Sequence, residues 1–349
     1  MALSTRRGLV IGLAVLGVLC LAAAAVLKWV VLPSQARVPS DESTTRQFEG
    51  TAKTLINPQA LSSGNLREAL LVNEALTATR TVKVLTTDGD AAQVEDSRTL
   101  ATASGQTVGQ TKTAYAVDRK TLEATTDHPS DWQVTAAQGL TVSWPIGADK
   151  KDYTGWVQET QATTPLRYVR EETRNGVSTY VYEASPEAAP IKDPQVLQSL
   201  PTALPVSALQ ALSAVLPLSD ELKQQLATLL PQTTQPVPLT YTYENKSTYW
   251  VEPSTGLVVD LQRQDVRKAG LSLQGRTIAA VLPVLDADTA YTQASATEAA
   301  GDAKDKKDAI DLAGTTIPLI LLIVGIVLLL AAVLVFLLSR RSPRAADTT

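Results

Sequence analysis

Apolar residues are concentrated in two uninterrupted runs near the two ends of the chain. The first run extends from Gly8 to Leu27 and the second from Ile317 to Leu338, and neither contains a charged residue. A helix needs about 20 apolar residues to cross the ~30 Å hydrocarbon core of a membrane. The pattern therefore predicts two transmembrane helices, over residues 8–29 and 317–338, with a mainly polar region between them.

Basic residues outside the two runs orient the predicted spans. Arg6 and Arg7 precede the first run, and Arg340, Arg341 and Arg344 follow the second. Lys and Arg near the ends of spans favour the cytoplasmic side of the membrane. We therefore expect a two-pass protein of the plasma membrane with both termini in the cytoplasm and the region between the spans outside it.

The first run also has an interpretation as a cleaved signal peptide, because the small residues at 22–25 would suit a cleavage site. Apolar residues continue through Val30, Val31 and Leu32, however, and they would make a poor start for a mature protein. We interpret residues 8–29 as an uncleaved anchor. The single cysteine, Cys20, then lies in the membrane.

Between the spans, polar and apolar residues alternate over long stretches that are rich in Thr, Val and Tyr. The alternation over 77–126, with turn residues at 88–90 and near Gly105, predicts a β-meander. Asn175-Gly176 is a strong hairpin signal and predicts a strand pair over 167–183.

A last group of strands is predicted over 239–280, with turns at 253–256 and 268–270. The segment 249–255 shares with 115–121 a Tyr, a Val, an acidic residue and a Thr at equal spacing. The carboxylates of Asp118 and Glu252 are therefore predicted to bond backbone N–H groups of two similar turns.

Residues 193–238 follow a helical period instead, broken by prolines into short amphipathic helices. Ser219 is the predicted N-cap of the second helix. Helical spacing relates the apolar residues of both helices: Val206, Leu209, Leu212 and Leu216, then Leu222, Leu226, Leu229 and Leu230. This segment either caps the open end or face of a sheet, or forms a mobile lid over an apolar cavity or a surface that touches the membrane.

Composition excludes several kinds of chemistry. The formal net charge is −4, and the region between the spans is more acidic still because many arginines lie at the ends; this argues against nucleic acid binding. His128 is the single histidine, and the single cysteine lies in the first apolar run, which argues against zinc and most other transition-metal sites. A carboxylate-based glycosidase is a minor hypothesis, because no spacing identifies a catalytic pair. We predict no enzyme activity and no cofactor.

Aromatic and basic residues are densest over 139–156. One interpretation is a loop whose tryptophans lie in a core and whose charges are solvated. The other is a binding rim, where aromatic faces contact a sugar or an acyl chain and a lysine contacts an anionic or hydroxylated headgroup. The candidate binding residues here are Trp144, Lys150, Lys151, Tyr153 and Trp156.

Two short motifs carry a resemblance to a known family. Trp144-Pro145-Ile146-Gly147 with Lys150-Lys151 and Tyr153, and Val251-Glu252-Pro253 with Thr255-Gly256, are similar to motifs of the actinobacterial PorA-like family. The resemblance implies a span at each end, an extracytoplasmic β-rich region, and a role in the assembly or trafficking of envelope lipids and lipoglycans.

The predicted fold class is mainly β (α+β), an extracytoplasmic antiparallel sheet or half-barrel with short amphipathic helices and a transmembrane helix at each end. The predicted segments are a cytoplasmic tip (1–7), a first span (8–29), a tether (30–48), the β-rich domain (49–285) with its helical insert (193–238), a solvated stalk (286–316), a second span (317–338) and a cytoplasmic tail (339–349).

The leading functional hypothesis is a membrane-anchored binding protein for envelope lipids or lipoglycans. It predicts an apolar cavity of several hundred Å³ near residues 209–230, with Leu209, Leu212, Leu222 and Leu226 as further ligand-binding candidates. The alternative is a structural subunit, without a ligand of its own, that interacts with an envelope transporter or synthase.

Overall fold

The structure is a computed structural model that describes residues 2–31, 37–57, 60, 65–216, 218–233, 235–273 and 276–340. The chain divides into two compact units. One contains Met1–Arg37 and Lys304–Thr349, and the other contains Val38–Ala303.

Two long apolar helices pack together in the first unit. Helix α1 spans Ala2–Val26 and continues as a π-helical segment over Leu27–Val31, and the C-terminal helix spans Ile317–Arg340. Both are long and apolar enough to cross a membrane. Their backbones approach closely at Gly17 and Gly325, where a Cβ on either glycine would lie 2.9 Å from the carbonyl oxygen of the other. Small residues of this kind allow close packing of membrane helices. The prediction of two candidate spans is confirmed.

The second unit is built on a 12-stranded antiparallel sheet that curves into a half-barrel. The strands are β1 (Ser43–Ile56), β2 (Leu70–Asp88), β3 (Ala91–Thr102), β4 (Thr107–Asp118), β5 (Tyr153–Val157), β6 (Ala162–Arg174), β7 (Val177–Ala184), β8 (Ala189–Pro190), β9 (Ala203–Leu204), β10 (Val237–Val251), β11 (Val258–Leu273) and β12 (Arg276–Tyr291). Their order is β4-β3-β2-β1-β12-β11-β10-β7-β6-β5, and β8 and β9 both pair with β10. The predicted mainly β half-barrel is confirmed.

Local turn chemistry explains most of the hairpins. Asn175 and Gly176 have φ of 51° and 78°, as a two-residue hairpin turn between β6 and β7 requires. Asp118 Oδ1 accepts hydrogen bonds from the backbone N–H groups of Lys120 and Thr121, both at 2.8 Å. The Glu252 carboxylate accepts from the N–H groups at 254 and 255, at 3.1 and 2.8 Å. The two carboxylate-bonded turns form as predicted.

The turn predicted at 268–270 is wrong. Strand β11 passes through these residues and continues to Leu273. The register with β12 shifts between Ala269 and Leu271, so the sheet accommodates Gly270 as an irregularity within the ladder.

The folded unit extends beyond the predicted limits of 49–285 at both ends. Strand β1 begins at Ser43, inside the predicted tether, and β12 continues to Tyr291, inside the predicted stalk. The helix over Gln293–Asp311 then buries Ala300 and Ala303 with Val259 of β11. The buried Arg46 of β1 pairs with Glu298 and Asp302 of the same helix, and the nearer pair is 2.5 Å apart. The first part of the predicted solvated stalk is therefore packed against the sheet.

In the described part of the helical insert, three α-helices lie between β8 and β10. They are α3 (Pro194–Gln198), α4 (Val206–Val215) and α5 (Asp220–Leu229). Outside the insert, α2 spans Leu66–Ala69, α6 spans Gln293–Asp311, and α7 spans Ile317–Arg340. The Ser219 side chain accepts from the N–H of Leu222, as predicted for an N-cap. Leu209 and Leu212 of α4 and Leu226 of α5 are buried together with residues of β10, β11 and β12, and Leu222 and Leu229 of α5 pack against this cluster. This packing is that of a cap on the sheet.

The loop between β4 and β5 connects the two edges of the half-barrel. Single backbone bridges join Val117 to Ala124, Glu123 to Leu140, and Leu140 to Gly155. The concave side of the sheet is therefore enclosed by loop residues where no strand pairing closes it.

Candidate functional site

A cavity of about 200 Å³ lies within the concave side of the half-barrel. Its walls come from most strands of the sheet, from the loop before β5, and from Val196 and Ser199 at helix α3. Several wall positions on different strands have small residues, which leave space that longer side chains would fill: Ala78, Gly109, Gly155, Ala184 and Ala287.

Two arginines share one buried aspartate on strands β2 and β3. Arg80 Nε and Nη2 donate to Asp96 Oδ1 and Oδ2 at 2.9 and 3.0 Å, and Arg98 Nη2 donates to Oδ2 at 2.7 Å. Asp96 is only 3% exposed. Burial alone would raise the pKa of Asp96, but the two guanidinium groups outweigh it and hold this pKa below its usual range. We call Arg80, Asp96 and Arg98 the β3 ion group.

A second charged group lies along β11. Arg263, Asp265 and Arg267 occupy alternate positions, so their side chains lie on one face of the strand. Arg263 Nε donates to Asp265 Oδ1 at 2.8 Å. The Tyr243 hydroxyl of β10 donates to Asp265 and accepts from Arg263. We call Arg263, Asp265 and Tyr243 the β11 ion group.

The protonation states of the β11 ion group follow from burial and from the arginine. Burial raises the pKa of Tyr243 well above its ordinary value, although the Arg263 charge opposes this. Burial would also raise the pKa of Asp265, but the Arg263 guanidinium prevails and lowers it. The tyrosine is therefore neutral and the aspartate ionised at neutral pH.

Glu159, in the turn between β5 and β6, lies between the two ion groups. Its Oε1 atom is 3.8 Å from Arg98 Nη1 and 3.6 Å from Arg263 Nη2. The residue is only 8% exposed. Its carbonyl oxygen accepts from the N–H groups of Lys192 and Asp193, which lead directly into helix α3.

Unpaired buried polar atoms are concentrated in the cavity walls. Within the described part of the chain, five cavity-lining side chains have such an atom without a hydrogen-bond partner: Thr141, Trp144, Thr164, Asn245 and Arg267. Trp144, Thr164 and Asn245 are 4–6% exposed. Buried polar groups are nearly always hydrogen-bonded, and an unpaired one costs about 1–3 kcal/mol. A polar ligand in the cavity could form the hydrogen bonds that these atoms lack.

The two sequence motifs 144–147 and 251–256 contact each other beside the cavity. Ser143 Oγ donates to the carbonyl oxygen of Gly256 at 2.8 Å, and Ala148 N donates to that of Pro253 at 2.7 Å. Gly256 has φ of 73°, and a Cβ on it would lie 2.3 Å from the carbonyl oxygen of Trp144. The glycine is therefore required for the contact that positions Trp144 in the cavity wall.

A family model described as Porin PorA matches residues 10–334, which is nearly the whole chain. The chain belongs to the porin PorA family.

Similarity of this PorA family member to other known proteins is slight. No curated protein matches it. Two similar solved structures are a putative MaoC domain protein dehydratase from Chloroflexus aurantiacus J-10-fl (12% identity, 79% of this chain and 80% of that one, TM-score 0.14) and acyl-CoA thioesterase II TesB2 from Mycobacterium marinum (12% identity, 73% and 80%, TM-score 0.13). At these TM-scores the similarities support no conclusion about fold or activity.

The aromatic and the basic residues of the predicted binding rim lie in different places in this PorA family member. Trp144 and Trp156 line the cavity, and the Trp144 ring lies 4.9 Å from that of Tyr249. Tyr153 packs beside the same aromatic cluster, and its hydroxyl accepts from the N–H of residue 149 at 2.8 Å.

Neither predicted lysine lines the cavity. Lys150 is exposed and pairs with Glu171 at 2.6 Å, and the exposed Lys151 pairs with Asp149 at 3.1 Å. Each ammonium group also lies over a tyrosine ring, that of Tyr180 or Tyr153.

The predicted leucines lie elsewhere as well. Leu209, Leu212 and Leu226 are each 1% exposed in the cluster under α4 and α5, and Leu222 packs against that cluster. None of them lines the described cavity, so the expectation of a cavity near 209–230 does not agree with it. The insert contributes to the cavity through α3 instead, because this helix follows directly from the Glu159 contacts.

The charged residues of the cavity are absent from the predicted site. A signal for them exists, because oppositely charged residues recur at alternate positions of predicted strands, as in Asp96/Arg98 and Arg263/Asp265/Arg267. Alternation places such residues on one face of a strand. The sequence does not indicate that this face is the concave one.

Among the residues that the structure describes, no group of three or more His, Cys, Asp or Glu residues could hold a metal ion. The site chemistry available from these residues is therefore that of guanidinium, carboxylate, hydroxyl, amide and indole groups.

Proposed function

We propose that this porin PorA family member is a membrane-anchored binding protein for lipids or lipoglycans of the cell envelope. The polar headgroup of the ligand binds in the cavity between the β3 and β11 ion groups. The concentration of unpaired buried polar atoms in the cavity walls is the observation that supports this proposal most.

The size and chemistry of the cavity favour a headgroup over a whole lipid. Pockets for drug-sized ligands have volumes of about 300–1,000 Å³, and this cavity has about 200 Å³. Guanidinium groups bind phosphate and carboxylate oxygens, and indole rings pack against sugar faces or acyl chains. An acyl chain or the rest of a glycan would then extend out of the cavity.

Anchoring at both ends fits a protein that acts beside its lipid source. The apolar helices α1 and α7 support the anchoring. The basic residues outside them support cytoplasmic termini, and the sheet unit is then extracytoplasmic. In this arrangement the ligand is received at the outer surface of the plasma membrane.

The family description names a porin, but the outward face of the sheet does not favour a membrane pore. Lys53 of β1 pairs there with Asp288 of β12 at 2.9 Å and contacts Asp286 at 3.7 Å. Strands of a membrane barrel present an apolar band to lipid, and charges in it are destabilising. This face supports a sheet unit surrounded by water.

The alternative role as a structural subunit of a transport or synthesis complex has less support. It would require a contiguous apolar surface for the partner. In the described part of the sheet unit, the exposed large apolar side chains lie singly on β2, β6 and α3: Val72, Leu85, Val169 and Leu197.

Lipid analysis of a cavity-filled variant tests the proposal. Ala287 is 2% exposed and lines the cavity, so Ala287→Leu would fill part of it. The full chain is purified in a nonionic detergent, and its co-purified lipids are extracted and quantified by mass spectrometry. We expect the wild type to retain a defined lipid or lipoglycan class that Ala287→Leu loses.

Ala290→Leu is the matched control, because Ala290 is on the same strand and alternation places it on the opposite face. Lipids around α1 and α7 should be equal in all three proteins. Equal amounts of every lipid class in wild type and a folded Ala287→Leu protein would contradict binding in the cavity.

A further inference from the structure

Glu159 is held more loosely than the other carboxylates of the cavity. Asp96 accepts hydrogen bonds of 2.7–3.0 Å from both of its arginines, and Asp265 accepts one of 2.8 Å from Arg263. The two distances from Glu159 to arginine nitrogens, 3.6 and 3.8 Å, are longer than hydrogen bonds. Arg98 and Arg263 are thus positioned by their aspartates and not by Glu159.

The charges around the cavity do not balance. Arg80, Arg98, Arg263 and Arg267 contribute four positive charges, whereas Asp96, Asp265 and Glu159 contribute three negative ones. One positive charge remains, and Arg267, whose Nε atom is buried and unpaired, forms no ion pair within the described residues. A ligand with one negative charge would bring this group to neutrality.

The best-directed place for such a charge is occupied by Glu159 itself. The guanidinium groups of Arg98 and Arg263 both face the Oε1 atom of Glu159. An oxygen of a phosphate or carboxylate ligand could occupy the same position between them. The closeness of Arg98 and Arg263 is otherwise unfavourable, since each charge repels the other. An anion between them reduces this repulsion.

We infer that Glu159 is an internal counterion whose carboxylate is replaced, between Arg98 and Arg263, by an oxyanion of the ligand. The inference rests on the proposed function, because it assigns the ligand of the same cavity a phosphate or carboxylate group. Glu159 supplies the negative charge between Arg98 and Arg263 in the empty site. The arriving oxyanion displaces it by accepting hydrogen bonds from the arginines that the loosely placed carboxylate does not accept.

The exchange is linked to helix α3. The carbonyl oxygen of Glu159 accepts from Lys192 and Asp193, and the Asp193 side chain accepts from the N–H of Gln195 at the start of α3. Val196 and Ser199 then contribute to the cavity wall. The backbone of Glu159 is therefore hydrogen-bonded to the segment that leads into α3, and this helix borders one side of the cavity.

Anion titration of Glu159→Gln tests the inference. This substitution keeps the shape of the side chain and removes its negative charge. Arg98 and Arg263 can then bind an external anion without competition from a carboxylate. Wild type and variant, as full chains in nonionic detergent, are titrated with inorganic phosphate and with dihexanoyl-phosphatidylglycerol by calorimetry. We expect the variant to bind at least one of the two about tenfold more tightly or better, since a competing carboxylate about 4 Å away is gone.

The two ligands separate the possible sources of the oxyanion. A gain for both identifies a general phosphate site, and a gain for the phospholipid alone identifies a lipid headgroup site. Glu171→Gln is the control, because it removes an exposed carboxylate that pairs with Lys150 outside the cavity. It should leave both affinities unchanged.

Unchanged or weaker binding of both anions by a folded Glu159→Gln protein would overturn the inference. If that variant does not fold, Glu159→Asp replaces it, because the shorter carboxylate is a weaker competitor, and a smaller gain is then required. Loss of lipid in Ala287→Leu without any gain in the Glu159 variants would leave the proposed function intact. A gain in Glu159→Gln with no lipid on the wild type would contradict the proposed function alone.

Discussion

The concave side of the sheet contains two regions that bury side chains in different ways. Under helices α4 and α5, leucines fill the space, and Leu209, Leu212 and Leu226 are each 1% exposed. Around the β3 and β11 ion groups, charged and aromatic side chains surround a cavity of about 200 Å³. Both regions are covered by the same long strands.

The difference comes from what each kind of side chain requires. Apolar side chains interdigitate without directional constraints, so the leucine region reaches close packing. Guanidinium groups repel each other and need partners in fixed directions. The charged region therefore cannot close completely, and it is the region that a polar ligand can enter.

The largest expected effect on stability is that of Asp96→Asn. The substitution leaves the partly buried guanidinium groups of Arg80 and Arg98 without the buried carboxylate that pairs with both of them. Breaking a buried ion pair by removing one partner costs about 3–5 kcal/mol. Urea unfolding of the full chain in detergent, followed by tryptophan fluorescence, measures the loss. Glu171→Gln on the surface should change the free energy of unfolding far less. Equal losses in the two variants would contradict a larger contribution of Asp96 to stability.

Truncation in the leucine region should cost slightly less. Leu226→Ala removes a side chain that is 1% exposed, and such changes cost about 2–5 kcal/mol. Leu222→Ala, on the same helix but only partly buried, should cost clearly less. The same urea titration compares the two. A larger loss for Leu222→Ala would contradict the burial of Leu226 between α5 and the sheet.

Acid should remove the contribution of Asp96 to stability. Because the folded-state pKa of Asp96 is lowered, its contribution to stability is present above its unfolded pKa of about 3.9 and is lost as the pH falls below that value. The loss due to Asp96 reaches about 1 kcal/mol by pH 3. Unfolding curves between pH 6 and 3 should show this slope in Leu226→Ala but a smaller one in Asp96→Asn. Equal slopes in both variants would contradict the assignment.

The smallest effect on stability is expected for Arg267→Met. Arg267 has no ion pair in the described structure, and its contact with Tyr243 is a cation–π contact at 5.8 Å. Replacing it should change the free energy of unfolding by less than about 1 kcal/mol, because the desolvation cost of the charge is lost together with the contact. Ligand retention, measured by lipid extraction, should fall nevertheless. A loss of stability as large as that of Asp96→Asn would make Arg267 a structural residue.

Local signals in the sequence were sufficient for much of the fold. The Asn175-Gly176 hairpin, the turns bonded by Asp118 and Glu252, and the N-cap Ser219 depend on a few adjacent residues, and all form as predicted. The turn predicted at 268–270 was wrong because pairing with β10 and β12 over the length of β11 outweighs the local preference of one glycine.

The site depends on residues that only the tertiary fold brings together. Arg98 and Arg263 approach the same Glu159 oxygen from strands that lie far apart in the sequence. No local pattern records that contact. Trp144 and Trp156 line the cavity, whereas Lys150 and Lys151, which are close to them in sequence, do not. Proximity in sequence does not specify which side of the sheet a residue faces.

Helix α3 also determines what the edge of the sheet can do. The Gln195 side chain accepts from the backbone N–H of Lys112 at 2.9 Å and donates to its carbonyl oxygen at 2.8 Å, as a residue of a neighbouring strand would. At this point on β4, the pairing positions that would recruit an added strand from another chain are therefore occupied. The helix that borders the cavity thus also covers part of the β4 edge, and we expect a deletion of α3 to expose these backbone groups to pairing with another chain.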